Sequence, residues 1–239
     1  YVAANLNRNS TLVTKQSCFK NFRAWCADNG IKLLHEVNRA VAMRWVAYRR
    51  ANGVSDGTII VQVGLLRAAW KVARASKYVD FIDHEGPWVF STNYQPAPRI
   101  PFTDEEVDKL FSGDAPEWVQ RAMRIALSTG GRVGSIKALR WEDIDLDGQV
   151  LTFTVCKTSR YSVPIPQELV DYLRPLERPT GLVVKELAEL NPSRPSQIFG
   201  AYCQKVLGRP ANWHHFRHTY ITRLQQAGVP ERVAKELSN

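Results

Sequence analysis

The sequence predicts a mainly α-helical protein: an N-terminal helical bundle joined to a second, mostly helical domain with one small antiparallel β-sheet. Three observations carry that reading. Apolar residues recur at helical spacing through most of the chain. One stretch, Gly86–Pro101, holds Pro87, Pro96, Pro98 and Pro101 and few periodic residues, a linker composition. A single pair of segments rich in β-branched and aromatic residues flanks a turn in the second half. The expected organisation is therefore a bundle over 1–85, a linker over 86–100 and a second domain over 101–239.

In the bundle, Leu12, Phe19, Phe22, Trp25 and Cys26 mark a helix over 11–29 that stops at Gly30, a good residue beyond a helix end. A second helix, over about 36–50, carries Val37, Val41, Trp45 and Tyr48 and ends at Asn52-Gly53. A third starts at Ser55 or Asp56 as cap and turns Ile59, Val63, Leu66 and Trp70 inward. Short connections between three amphipathic helices make a small bundle.

The second domain opens on Thr103-Asp104-Glu105-Glu106, a capping box in which Thr103 accepts backbone N–H groups and Glu106 reaches back. A helix over 117–127 buries Val119, Met123 and Leu127 and halts at Gly130-Gly131, and another starts at Arg132. Residues 149–155 and 161–165 form a hairpin with Lys157 at its tip, led into by the turn at 145–148. Helices follow over 167–176, 196–207 and 214–227, and Pro230 opens a last one.

Composition is that of a folded globular protein with ample core, and no apolar run approaches the length of a membrane span. No signal-peptide pattern opens the sequence as it stands, so an intracellular location, cytoplasm or nucleoid, is expected. Cys18, Cys26, Cys156 and Cys203 have no metal or redox spacing and read as small buried residues in a reducing compartment. The net charge of +9 is uneven: residues 1–85 hold 13 Lys and Arg against 6 Asp and Glu, and the rest 19 against 17. Concentrated positive charge suits a polyanion, nucleic acid or an anionic membrane surface; a solvated basic face with no partner fits it equally well.

The chemistry gathers at Trp213-His214-His215-Phe216-Arg217-His218-Thr219-Tyr220. On a helix, His214, Arg217 and His218 share one face. The i, i+4 histidines resemble a zinc helix, but the position that needs a glutamate holds His215 and Arg217 would repel the cation, so no metal is expected. A bland alternative is a set of hydrogen-bonded surface and core histidines. A third is a grip on phosphate, which calls for more than one guanidinium. Arg132, directly after Gly130-Gly131 at a helix start, supplies the second.

Thr129-Gly130-Gly131-Arg132 followed by Leu139-Arg140-Trp141-Glu142-Asp143 resembles the first signature box of the tyrosine recombinase (phage integrase) family. His214-His215-Phe216-Arg217-His218-Thr219, ending at Ala227-Gly228-Val229, resembles the second, and Lys157 falls where that family carries a mobile catalytic lysine. The bundle is similar to the family's SAM-like core-binding domain, and the second domain to its catalytic domain. The resemblance implies a duplex-DNA enzyme that breaks and rejoins strands through a 3′-phosphotyrosine, with no metal or nucleotide cofactor, as a homo-tetramer on two DNA sites. It implies that Arg132 and Arg217 hold the scissile phosphate, His214 assists as hydrogen-bond or acid–base group, and Lys157 protonates the leaving 5′ oxygen. In the bundle, Lys15, Lys20, Arg23, Thr58, Gln62, Arg67 and Lys71 are the expected DNA contacts. A non-catalytic DNA-binding protein of the same fold is the alternative.

Two departures from the family pattern stand out. Ser135 occupies a position that is usually acidic. The second histidine or tryptophan of the pattern would fall just beyond Asn239 and the nucleophilic tyrosine further on. Tyr161, Tyr202 and Tyr220 read as packing residues, so this stretch of chain is expected to bind DNA without cutting it, as a fragment truncated before its nucleophile.

Overall fold

The computed structural model describes residues 9–78, 86–88, 94–95, 100–156 and 159–238, with side chains from residue 11 to residue 237 of those ranges. The chain divides into two compact units, Tyr1–Ala97 and Pro98–Asn239.

The first unit is built on α1 (Asn9–Asp28), α2 (Arg39–Ala51) and α3 (Asp56–Ala75). Their ends follow local chemistry. Ser55 accepts the Thr58 N–H to start α3, and Asn38 accepts the Val41 N–H at 3.1 Å to start α2. That Asn38 cap is why α2 begins at Arg39 and not near Glu36. Residues Leu34–Glu36 make a separate 3-10 turn, closed by the Glu36 carboxylate on the Lys32 and Leu33 N–H groups.

Aromatic rings fill the first core. Phe22 stands edge-on to Trp45 at 5.5 Å and to Trp88 at 5.2 Å, and Trp70 meets Trp88 at 5.5 Å. Trp45 and Trp88 are fully buried. The burial of Trp88 moves the start of the expected linker, because Gly86–Trp88 is a 3-10 turn packed into this unit. Arg67 fixes it there by donating twice to the Trp88 carbonyl, at 3.1 and 2.7 Å. A local proline hid that role, since a one-turn plug has no period to read. Tyr48, on the same helix as Val41 and Trp45, is exposed and borders Trp25 at 6.2 Å.

The second unit contains α4 (Asp104–Ser112), α5 (Glu117–Thr129), α6 (Val133–Lys137), α7 (Gln167–Leu173), α8 (Lys185–Glu189), α9 (Arg194–Leu207), α10 (His214–Gln226) and α11 (Glu231–Ser238). The capping box of α4 is present in both halves: Thr103 N–H to Glu106 at 3.1 Å and Glu106 N–H to Thr103 at 3.2 Å. The sheet is three-stranded and antiparallel, in the order β1 (Ile144–Asp145), β2 (Val150–Phe153), β3 (Tyr161–Pro164). In its register Leu151 faces Val163 and Phe153 faces Tyr161, which puts Leu151, Phe153 and Val163 on the buried side. The two-residue β1 and the five-residue α8 were not anticipated; both are too short to show a period. The second core packs Leu110, Met123, Ile125, Ile136, Leu151, Phe153, Leu173, Phe199 and Phe216 fully out of water.

Candidate phosphate and nucleic-acid site

The turn between α5 and α6 is held from every side. Thr129, fully buried, donates its hydroxyl to the Ile125 carbonyl at 2.6 Å and accepts the Gly131 N–H at 3.1 Å. Gly130 ends α5 in the left-handed region, φ 63°, where a side chain is strained. A Cβ there would lie 2.5 Å from the Tyr220 ring, and one on Gly131 would lie 2.5 Å from the Phe153 ring. Both glycines are therefore demanded by close approach. Arg132 leaves this turn half-buried, in extended conformation. The helix it precedes is only five residues long, so its dipole adds little to the charge of Arg132 itself.

The start of α10 is fixed with similar care. Asn212, one residue before the N-cap Trp213, accepts the His214 N–H at 3.0 Å. Thr219 accepts the Phe102 N–H at 2.8 Å and donates to the His215 carbonyl at 2.9 Å. His215 leans on the Phe102 ring, centroids 5.4 Å apart, and burial holds its pKa below the usual histidine value. It is a structural residue. Arg209 forks onto Glu106 at 2.5 and 2.6 Å while lying over Phe102, locking the approach to α10 onto α4.

These supports bring Arg217 to the glycine turn. Its Nη1 donates to the Gly130 carbonyl at 3.1 Å, two residues before Arg132. Burial pushes the Arg217 guanidinium below the usual arginine pKa, and the charge of Arg132 pushes it the same way. Like charges placed together and partly desolvated favour an anion between them. His214, one turn earlier on α10, is exposed, and its ring lies 6.5 Å from that of His218. The structure thus brings Arg217 to the turn that precedes Arg132, and His214 lies one turn earlier on α10. Lys157 lies outside the described residues. The base of its hairpin reaches the same turn, because Phe153 abuts Gly131 and Tyr161 meets Phe153 at 5.1 Å. Ser135 is buried in α6. Among the described residues, no group of three or more His, Cys, Asp or Glu could hold a metal ion.

The tyrosines are placed as packing residues: Tyr202 donates to the Leu110 carbonyl at 2.7 Å, Tyr220 covers Gly130, and Tyr161 lies on Phe153. Of the bundle residues expected on DNA, Lys20, Arg23, Thr58 and Lys71 are exposed. Lys15 and Gln62 are not; they are 6% and 9% exposed. Lys15 stands on the buried stripe of Cys18 and Phe22, and Gln62 accepts the Arg49 Nε at 3.2 Å. Arg67 is committed to the Trp88 carbonyl. Three of those seven positions therefore serve the bundle itself. Sequence reading missed Thr129, Phe153 and Asn212 as supports of the site. The signal for Asn212 was available, an asparagine able to accept a backbone N–H beside a helix start; the hydroxyl bond of Thr129 and the contact of Phe153 need three dimensions.

A helical frame surrounds a small hairpin sheet, and Arg217 meets the glycine turn that leads into Arg132. Among the described residues, no helix is long and apolar enough to cross a membrane. The chain belongs to the phage integrase family, whose pattern matches residues 102–239, and it is a tyrosine recombinase in that sense. Membership supports DNA recombination as its activity. Curated relatives include the tyrosine recombinase XerA of Pyrococcus furiosus, 26% identical over 214 residues, covering 82% of this chain and 70% of the relative. XerA of Thermococcus kodakarensis is 26% identical over 220 residues, 84% of this chain and 73% of the relative. Among solved structures, the Tn1549 transposon integrase in complex with transposon right end DNA superposes with a TM-score of 0.78 at 17% identity, covering 98% of this chain and 86% of that one. A lambda integrase tetramer bound to a Holliday junction gives 0.77 at 20% identity, over 99% of this chain and 73% of that one. These likenesses establish the fold along nearly the whole chain.

Proposed function

We propose that this protein acts as a site-specific recombinase or integrase on duplex DNA, in which Arg132 and Arg217 hold the non-bridging oxygens of one scissile phosphate. The single observation that carries this reading is the reach of Arg217 to the Gly130 carbonyl, which sets the two guanidiniums around one turn. Planar donor forks suit the equatorial oxygens of a phosphoryl group in transfer. His214, exposed beside them, donates a hydrogen bond or exchanges a proton. Lys157 on the hairpin protonates the leaving 5′ oxygen, and a tyrosine would attack in line to leave a 3′-phosphotyrosine that conserves the bond energy. The cationic side chains supply the electrostatics, and no cofactor is invoked. Lys20, Arg23, Thr58 and Lys71 of the bundle grip the backbone of the same DNA. The working assembly is a homo-tetramer on two DNA sites, a reading supported by the lambda integrase tetramer bound to a Holliday junction, and its place of work is inside the cell, cytoplasm or nucleoid.

Tyr220 covers Gly130, Tyr202 is bonded to Leu110 and the ring of Tyr161 packs on Phe153, which supports reading these three as packing groups and not as the nucleophile. We therefore read this stretch of chain as a DNA binder that does not cut. The same observation favours, as second reading, a DNA-binding protein that uses the fold without catalysis. Selection from random duplexes, followed by sequencing, yields the target. On that target the chain should bind with an affinity that falls steeply with salt. On a suicide substrate, nicked so that cleavage traps the enzyme, it should form no covalent complex. Salt-independent binding, or failure to bind duplex, would sink the DNA reading; a covalent adduct would sink the non-cutting one.

A further inference from the structure

Packing does not explain the hydroxyl of Tyr161. Its ring is accounted for: it lies against Phe153, which in turn fills the space over Gly131. The phenolic oxygen, however, is closed off from solvent and makes no hydrogen bond. Leaving a buried polar group unpaired is unfavourable, and a phenylalanine would fill the same space without that penalty. The contrast with Tyr202 is direct, since that hydroxyl donates to a carbonyl at 2.7 Å.

What surrounds the oxygen says what it lacks. Burial, with Cys156 and Tyr220 adding to it, raises the Tyr161 pKa against the pull of Arg217 and Arg132. The group is thus a neutral O–H, a donor, within the field of two guanidiniums. Arginine offers only donors, so neither can accept its proton. The missing partner is an acceptor, and a phosphate oxygen is one. An open surface hollow of about 420 Å³ borders the same side chain between the hairpin base and α11, lined by Ser159, Arg160, Tyr161, Lys235 and Glu236.

We infer that Tyr161 is a further substrate-contacting residue, whose hydroxyl donates to an oxygen of the phosphodiester held by Arg132 and Arg217. This rests on the phosphate reading proposed above. Binding would then satisfy a donor that the DNA-free protein leaves unpaired, which makes the contact selective for an anion with a free oxygen at that point.

The test uses orthovanadate, a tetrahedral oxyanion, titrated into the 239-residue chain carrying tyrosine labelled with 13C at Cζ. The Tyr161 resonance is identified by its absence from Tyr161→Phe. It should move in step with vanadate binding, and Tyr161→Phe should bind vanadate about tenfold more weakly, the worth of a hydrogen bond to a charged group. Tyr161→Phe should also melt no lower than the parent, since it removes an unpaired hydroxyl. A Tyr161 resonance that stays still, an unchanged affinity in Tyr161→Phe, or a marked loss of stability in that variant would each overturn the inference. Arg217→Ala separates the two levels. If it abolishes vanadate binding while Tyr161→Phe retains it in full, only the role of Tyr161 falls. If no vanadate binding depends on Arg217, the phosphate reading falls with it.

Discussion

Lys20, Arg23 and Lys71 of the first unit stand in solvent, whereas Arg217 of the second is half-buried and tied to the Gly130 carbonyl at 3.1 Å. The exposed cations have no geometry imposed on them and suit a backbone of repeated charges, read without regard to sequence. The buried one is aimed. Its support runs through Thr129, Gly130, Gly131 and Phe153 on one side and Asn212, Thr219 and Phe102 on the other. The comparison teaches that cations left free in solvent and a cation fixed in direction are built separately here. On the proposed reading, charge at a helix surface grips the DNA backbone, and charge held against a glycine turn positions one phosphate.

The strongest way to probe that difference is to empty each core. Trp88→Ala and Phe153→Ala both remove fully buried rings, and each should cost about 3–5 kcal/mol in denaturant unfolding. Only Phe153→Ala should also weaken vanadate binding, because that ring backs the turn before Arg132. A smaller effect is expected from Gly131→Ala, whose Cβ would meet Phe153 at 2.5 Å and the Thr129 hydroxyl at 3.1 Å. Overpacking of this kind destabilises by about 1–3 kcal/mol, and unfolding curves of the variant check it.

The clamp of Arg209 on Glu106 predicts a pH signature. The Arg209 hydrogen bonds hold the Glu106 carboxyl below its usual range, with burial opposing them. A carboxyl depressed in the folded state contributes stability that is complete above its unfolded pKa, about 4.3, and is lost as pH falls through the lower folded value. Glu106→Gln should therefore melt lower than the parent at neutral pH, and the gap should close in acid. Smallest of all should be the change on the exposed side. Replacing Lys20, Arg23 and Lys71 by alanine should leave stability unaltered. It should flatten the dependence of log affinity on log salt by about 0.9 for each DNA phosphate that is no longer neutralised.

Most of the fold was legible because long amphipathic helices announce themselves: α1, α3, α5 and α10 lie within a few residues of where period and caps put them. Caps settled the ends, and where a cap was overlooked, as with Asn38, the boundary moved. Short elements escaped. Two strand residues at Ile144–Asp145 and the turn that buries Trp88 are defined by what they pack against, not by a pattern of their own. The site was legible as two motifs, and the structure brings Arg132 and Arg217 to one turn. Surface contacts in the bundle were less so. A cation on a helix counts as exposed only if its stripe is, and Lys15 shares the stripe of Cys18 and Phe22. Gln62 and Arg67 were unreadable for another reason, since their partners, Arg49 and Trp88, lie on other elements.

The central claim is that Arg132 and Arg217 together hold one phosphate of duplex DNA. Phosphate-ethylation interference on the selected duplex tests it most directly, comparing the parent chain with Arg217→Ala. One position, at which ethylation blocks the parent, should lose its interference in the variant while every other interfering phosphate keeps its strength. An identical pattern for the two proteins, or a uniform weakening across all positions, would contradict the claim.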